Sequence, residues 1–239
     1  MEMKKNKETF ILFILSCIFQ TYFFYLQNRM ESPFSYMFGI QQESGETEFL
    51  YMEILAVYIP LYFAILYFKD CYSFYVGNYG KLWLVRNENR KSYIAKIYLQ
   101  MMKKIIFVEL GQFGIWMVWR YDYFLENKKI ILVGMLLYFC ILLWIFTAEI
   151  LLSIYMKESR MLVILNSYLL IALFANWMFQ GKWIIYLFFP GIIIKGSDLI
   201  QKIMNQDIQA KIGLFYSGIM ILIFYKRSKI KFQKKDLFW

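Results

Sequence analysis

The sequence of 239 residues contains no histidine. Without an imidazole, the chain cannot form a histidine-dependent intramembrane protease, a Cys-His peptidase, a His-ligated zinc site or a His-held haem site. It has only three cysteines, at positions 17, 71 and 140, which are too scattered for a ligand cluster or an obvious disulfide. We therefore expect free thiols, no catalytic residue, no metal and no cofactor.

A phosphate-binding loop is also missing. No stretch fits G-x-x-x-x-G-K-[ST], because Gly77-Asn78-Tyr79-Gly80-Lys81 lacks the spacing and the following hydroxyl residue. The chain is therefore not expected to hydrolyse ATP. Any active transport would be driven by an ion gradient or by a separate ATPase subunit that binds ATP and Mg.

Charged residues are scarce, at 18%, and there are only three prolines, whereas hydrophobic residues make up 60%. A soluble domain carries about 25% charged residues, so this composition predicts an all-helical membrane protein. We expect one transmembrane domain over residues 1–239. Apolar runs of bilayer length predict six spans, over residues 10–26, 49–68, 97–119, 130–155, 161–178 and 208–225.

One further apolar run, residues 184–194, is too short to cross a bilayer and contains a Pro-Gly pair that breaks a helix. Broken backbone at membrane depth must be buried against protein or a water-filled cavity. The run predicts a re-entrant segment on the outer side. A hydrophobic loop lying on the headgroups is the open alternative.

The distribution of charge predicts that both termini face the cytosol. In that orientation most of the 27 lysines and arginines lie on the inner side, as topology rules require, and the outer loops hold acids such as Glu43 and Glu46. The net charge of +10 therefore needs no nucleic-acid partner. Tyrosines and tryptophans near the outer boundaries, including Tyr25, Trp116 and Trp119, are expected to form an interfacial belt.

A basic segment, residues 79–96, lies between the second and third predicted spans. It alternates the apolar residues Leu82, Trp83, Val85 and Tyr93 with five cations. This mixture is typical of a docking surface for another protein. The alternative is an interfacial helix whose cations bind anionic lipid, although acidic Glu88 in its middle disfavours lipid.

Within this segment, Asn89-Arg90 followed by Lys96 resembles a pattern that leads into the third span of permease subunits of type 2 ABC exporters. The six spans, the cytosolic coupling segment and the outer re-entrant segment resemble the same family in topology. The chain departs from the larger members of this family in two ways: the stretch before the first span is short, and a Gly-Thr-x-Glu run ahead of the segment is missing. In both respects it resembles the compact branch, which includes bacteriocin-export and lantibiotic-immunity permeases.

The resemblance implies a bacterial plasma-membrane protein that works with a nucleotide-binding ATPase subunit and a second permease chain, alike or different. It implies a peptide cargo, antimicrobial or signalling, or immunity to such a peptide. A short helix, a turn at residues 87–89 and a second helix starting near Arg90 would form a lever. Leu82 and Trp83 would anchor in the ATPase, with Arg86, Glu88 and Arg90 setting the register. The alternatives are a gradient-driven transporter and the non-transport membrane module of a sensor.

Ionisable groups inside the spans are the other candidates, because each costs about 2.5–3.5 kcal/mol at a helix centre. Glu109, with Gln112 one turn later, is a candidate for a translocation path between protomers, and a structural role is an equal alternative. Glu149 lies at about the depth of Lys103 and Lys104, so we expect a structural ion pair there.

Overall fold

The computed structural model of this chain describes residues 2–26, 47–76, 90–119, 121–126, 128–178 and 208–234, which are almost wholly helical and contain no strand. This confirms the all-helical fold over the described part of the chain. The helices are α1 (Glu2–Leu26), α2 (Thr47–Val76), α3 (Arg90–Trp119), the short α4 (Tyr121–Glu126), α5 (Lys128–Tyr155), α6 (Glu158–Met178) and α7 (Ile208–Lys234).

A long helix covers each of the six predicted spans. Four stretches are long and apolar enough to cross a membrane: Lys7–Leu26, Ile54–Ser73, Lys128–Tyr155 and Glu158–Ala175. The chain is therefore a multi-pass membrane protein by length and composition. Crossing by α3 and α7 stays a prediction, because α3 carries four lysines in its first half and α7 carries cations in its last turns.

Aromatic contacts give the relative directions of the first three helices. The ring of Phe10, early in α1, lies 5.3 Å from that of Tyr67, late in α2, so these helices are antiparallel. α1 and α3 run parallel, since Phe10 lies 5.1 Å from Phe107 and Tyr25 lies 5.0 Å from Trp119. They pack closely where α3 has a glycine, Gly111, next to α1.

The direction alternates in the second half of the bundle as well. α5 is antiparallel to α3, because Tyr98 near the start of α3 packs edge-on against Phe146 late in α5. α6 returns along α5 after a two-residue connection, with the rings of Trp144 and Tyr168 stacked 5.4 Å apart. α7 is antiparallel to α3, because the Tyr98 and Ser228 hydroxyl oxygens lie 2.8 Å apart.

The six long helices therefore run alternately up and down. α1, α3 and α6 begin at one end of the bundle, and α2, α5 and α7 finish there. Most described lysines and arginines lie toward this end, which we call the basic end.

Large side chains fill the core, and in a membrane their close packing is what holds helices together. The largest fully buried ones are Trp116, Tyr138, Phe13, Phe24, Phe68, Phe146 and Leu61. The predicted belt position of Trp116 is wrong, because this side chain is 0% exposed. Trp119, three residues further along α3, is exposed as expected. Tyr25, the second-last residue of α1, is also exposed as expected.

Candidate functional site

A chain of buried amide and phenol groups joins three helices near the middle of the bundle. Gln112 of α3 donates from Nε2 to Gln20 Oε1 of α1 at 3.1 Å. Its own Oε1 accepts a hydrogen bond from the Tyr138 hydroxyl of α5 at 2.7 Å. All three side chains are at least 98% buried. We call these three residues the polar chain.

The helical phase of α3 explains why Gln112 lies inside. Ile105, Val108, Gln112 and Trp116 recur at intervals of three and four residues and are all buried. The opposite side of α3 is apolar and exposed, as Ile106 and Leu110 show.

The other small polar groups of α1 at this level bond within their own helix. The Ser16 hydroxyl donates to the Phe13 carbonyl at 2.6 Å, and the Thr21 hydroxyl donates to the Cys17 carbonyl at 2.8 Å. These local bonds satisfy the hydroxyls without reaching another helix. Gln20 is thus the α1 side chain that links to the polar chain.

Glu109 lies one turn before Gln112 on the same buried side of α3. Its side chain is 5% exposed, and its Oε1 has no hydrogen-bond partner among the described residues. Tyr138 and Cys140 of α5 are close enough to interact with it electrostatically.

These positions bear on the predicted translocation path. Glu109 and Gln112 point into the interior of their own bundle and not toward its exposed surface. A path between two protomers along the exposed face of α3 would therefore meet apolar side chains instead. The role of Glu109 and Gln112 in transport stays a prediction.

A second cluster, of charged groups, lies at the basic end. Lys69 of α2 has its Nζ 3.9 Å from Asp70 Oδ1 and 3.6 Å from Glu158 Oε2 of α6. Asp70 is buried, whereas the Glu158 side chain is 60% exposed. The cluster ties the end of α2 to the start of α6, and Tyr58 with Asn166 links the same two helices further along at 3.1 Å.

Glu149 of α5 lies beside this cluster. It is 0% exposed, and the charged groups that act on it are Lys69, Asp70 and Glu158. Neither of its oxygens has a hydrogen-bond partner among the described residues.

The expected ion pair of Glu149 with Lys103 or Lys104 is therefore not what the described residues form. Lys103 is exposed at the bundle surface. Lys104 is half-buried and, like Glu149, acts on Cys71 at the end of α2, but neither oxygen of Glu149 has a hydrogen-bond partner among the described residues.

Most of the predicted coupling residues, namely Leu82, Trp83, Arg86 and Glu88, lie outside the described residues, as does the predicted re-entrant segment 184–194. Arg90 is the first residue of α3, which agrees with a second helix starting there. Lys96 lies on α3 and is exposed.

The three cysteines are free, as expected, with Cys17 and Cys71 buried and Cys140 half-buried. Among the described residues there is no group of three His, Cys, Asp or Glu side chains that could hold a metal ion.

Sequence analysis did not single out Gln20, Tyr138, Lys69 or Asp70. The one available signal was for Gln20, a polar residue inside the first apolar run. The other three became candidates only through their packing partners.

The sequence model of a family described as "Protein of unknown function (DUF2705)" matches residues 13–238. No curated protein and no solved structure matches the chain.

Proposed function

We propose that this chain, which belongs to the DUF2705 family, is the membrane-spanning permease subunit of an ATP-driven exporter. A separate subunit would bind and hydrolyse ATP, and a second permease chain would complete the membrane part. The cargo would be an antimicrobial or signalling peptide, or the transporter would confer immunity to one. The membrane would be a bacterial plasma membrane.

The observation that carries this proposal is the place where α2 and α3 are joined. α2 ends at Val76 and α3 begins at Arg90, and both of these helix ends lie at the basic end of the bundle. Cation-rich ends of spans face the cytosol. The segment that resembles an exporter coupling element would therefore face the compartment that holds ATPases.

α3 offers a mechanical connection from that segment to the core. Its 30 residues form one uninterrupted helix, which is about 45 Å long at the rise of an α-helix. It starts at Arg90 in the coupling segment and carries Gln112 in the polar chain. A push on its first turn would be transmitted to the polar chain, because a rigid helix moves as a unit.

The first check is whether an adjacent gene encodes a phosphate-loop ATPase. That ATPase would then be co-expressed with the tagged chain and purified in mild detergent. We expect it to co-purify with the wild-type chain. The Arg86→Glu, Arg90→Glu double variant should lose most of the ATPase while its membrane abundance stays normal, since many other cytosolic cations still set the orientation.

A matched control is the Lys226→Glu, Arg227→Glu double variant. It makes the same charge change on exposed residues at the same end of the bundle, but on α7. It should keep the ATPase. Equal retention by wild type and both variants would show that the coupling segment does not dock, and absence of any ATPase from the wild-type preparation would remove the exporter proposal.

A gradient-driven transporter is the second candidate, and one observation favours it. Glu109 is a buried carboxyl near the middle of its predicted span, and such groups mark ion pathways in transporters. Uptake or efflux by the chain alone in liposomes, driven by an imposed ion gradient without ATPase or ATP, would distinguish it from the exporter.

A further inference from the structure

Among the described residues, Glu109 has no charged neighbour at its level in the bundle. It lies close to the middle of the predicted third span. The described helical segments at comparable depth contain no other aspartate, glutamate, lysine or arginine: residues 9–26, 54–68, 130–148, 161–175 and 215–225. On α3 itself the nearest lysines, Lys103 and Lys104, lie six and five residues before Glu109, so the described residues place no fixed cation at the level of this carboxyl.

The titratable groups around Glu109 are thiols and phenols. From α5, Tyr138 and Cys140 act on it electrostatically. α1 contributes Cys17, which acts on Tyr138. The middles of α2 and α7, residues 54–68 and 215–225, hold no titratable side chains other than tyrosines. All of these groups are ordinarily neutral at pH 7, so none stabilises a negative charge as a counter-ion would.

An ionised Glu109 would therefore be a buried, unpaired charge at membrane depth. Insertion scales put such a charge at about 2.5–3.5 kcal/mol near a helix centre, and an unpaired carboxylate in an apolar interior costs still more. Binding a cation removes most of this cost. The question is which cation the surroundings of Glu109 accommodate.

The described residues provide no ligand set for a metal ion. A metal ion needs several oxygen ligands, but no group of three His, Cys, Asp or Glu side chains occurs among the described residues. A cationic group of a cargo peptide would have to reach a side chain that is 5% exposed. A proton needs neither extra ligands nor space.

We propose that the Glu109 carboxyl is a proton-binding site in the middle of the membrane, holding one proton in the conformation of this structure. The proton neutralises the only carboxyl at this depth of the described bundle. The site does not depend on the exporter assignment, because it needs no ATPase and no cargo.

A hydrophobic carbodiimide tests the site directly. Dicyclohexylcarbodiimide partitions into membranes and reacts with a carboxylic acid. The acid O–H adds across one C=N bond to give an O-acylisourea, which rearranges to a stable N-acylurea. Nothing leaves and nothing is oxidised, so the labelled residue gains the mass of one carbodiimide.

The full-length chain in liposomes would be treated at a series of pH values, digested and analysed by mass spectrometry. We expect Glu109 to be labelled, with labelling falling several-fold as the pH is raised from acidic to strongly alkaline. The Glu109→Gln variant should show no label on that peptide. A water-soluble carbodiimide should label exposed Glu158 but leave Glu109 unmodified in the folded protein.

Two results would overturn the proposal. One is an unlabelled Glu109 at acidic pH in a preparation whose Glu158 reacts normally. The other is labelling of Glu109 by the water-soluble reagent to the same extent as Glu158, which would mean an ordinary solvated carboxylate. Neither result depends on a variant that might fail to fold, because both are read on the wild-type chain.

Discussion

Removing the Tyr138 hydroxyl tests whether the polar chain holds α3 and α5 together. Tyr138→Phe keeps the buried ring and deletes only the group that donates to Gln112 Oε1 at 2.7 Å. The hydrogen bond to Gln112 is therefore lost with almost no change in side-chain volume. Gln112→Leu is the complementary change, because it removes both bonds of Gln112 and leaves Gln20 Oε1 without its donor.

The expected magnitudes follow from measured hydrogen bonds in membranes. Side-chain bonds between transmembrane helices contribute about 0.6 kcal/mol on average and about 1.7 kcal/mol at most. The 2.7 Å distance and full burial favour the upper part of this range, so we expect Tyr138→Phe to lower the free energy of unfolding by about 1 kcal/mol. Gln112→Leu should cost about 2–3 kcal/mol, because it strands two buried polar groups.

The assay is reversible unfolding of the purified chain in mixed micelles, followed by circular dichroism. A double-mutant cycle with both substitutions should give a coupling energy near the Tyr138→Phe value, since the phenol has lost its Gln112 partner once that residue is leucine. The control is Tyr168→Phe, which removes a hydroxyl from a half-buried tyrosine whose ring stacks on Trp144.

A coupling energy indistinguishable from zero would refute the reasoning. So would a Tyr138→Phe cost no larger than that of the Tyr168→Phe control. Either result would mean that the polar chain does not fix the packing of α3 against α5.

Three further predictions concern the orientation and the charge cluster. In a chain whose native cysteines are replaced, Asp122→Cys beyond α3 should react with an impermeant thiol reagent on whole cells. Ser159→Cys at the basic end should react only after the cells are permeabilised. The reverse pattern would show that the orientation is inverted. Both positions are exposed, whereas native Cys71 is buried and its silence would be uninformative. Lys69→Met should lower the free energy of unfolding, because it leaves Asp70 and Glu158 without their shared cation. The expected loss lies between about 1 kcal/mol, which is typical of exposed ion pairs, and about 3 kcal/mol, which is typical of buried ones. Glu149→Gln should cost little in the same unfolding assay, since Lys69 keeps its other two carboxylates, and a larger loss for Glu149→Gln than for Lys69→Met would contradict this account.

Hydropathy was sufficient to predict the long helices but not their ends. The second predicted span stops at Phe68, yet α2 continues to Val76, and α7 runs nine residues past Tyr225 to Lys234. In both cases the apolar run ends at the first charged residues, whereas the hydrogen-bonded helix continues beyond them. A helix can leave the bilayer without ending, because its backbone bonds are satisfied within the helix.

The polar chain could be predicted only in part. Glu109 and Gln112 stand out in the sequence because polar groups inside a span are costly. Gln112 binds Gln20, which is 92 residues away, and Tyr138, which is 26 residues away. Those partners follow from the packing of three helices, which hydropathy does not determine.

Two expectations about side chains were based on depth along a helix. They placed Trp116 in an interfacial belt and paired Glu149 with Lys103 or Lys104. Rotation about the helix axis decides instead: Trp116 continues the buried stripe of Val108 and Gln112, and Lys103 lies on the exposed side. The spacing of three and four residues along α3 carried this information for Trp116.

The exporter proposal and the proton site meet on α3 but can fail separately. Capture of an ATPase depends on residues before and at the first turn of α3, whereas carbodiimide labelling depends on Glu109, which lies 19 residues later, or about 28 Å along the helix. An ATPase that binds a chain with an unlabelled Glu109 would leave the exporter proposal in place and make Glu109 a hydrated polar group. A labelled Glu109 in a chain that captures no ATPase would favour transport driven by a proton gradient, because a proton would then be the only cation shown to bind in the middle of this bundle.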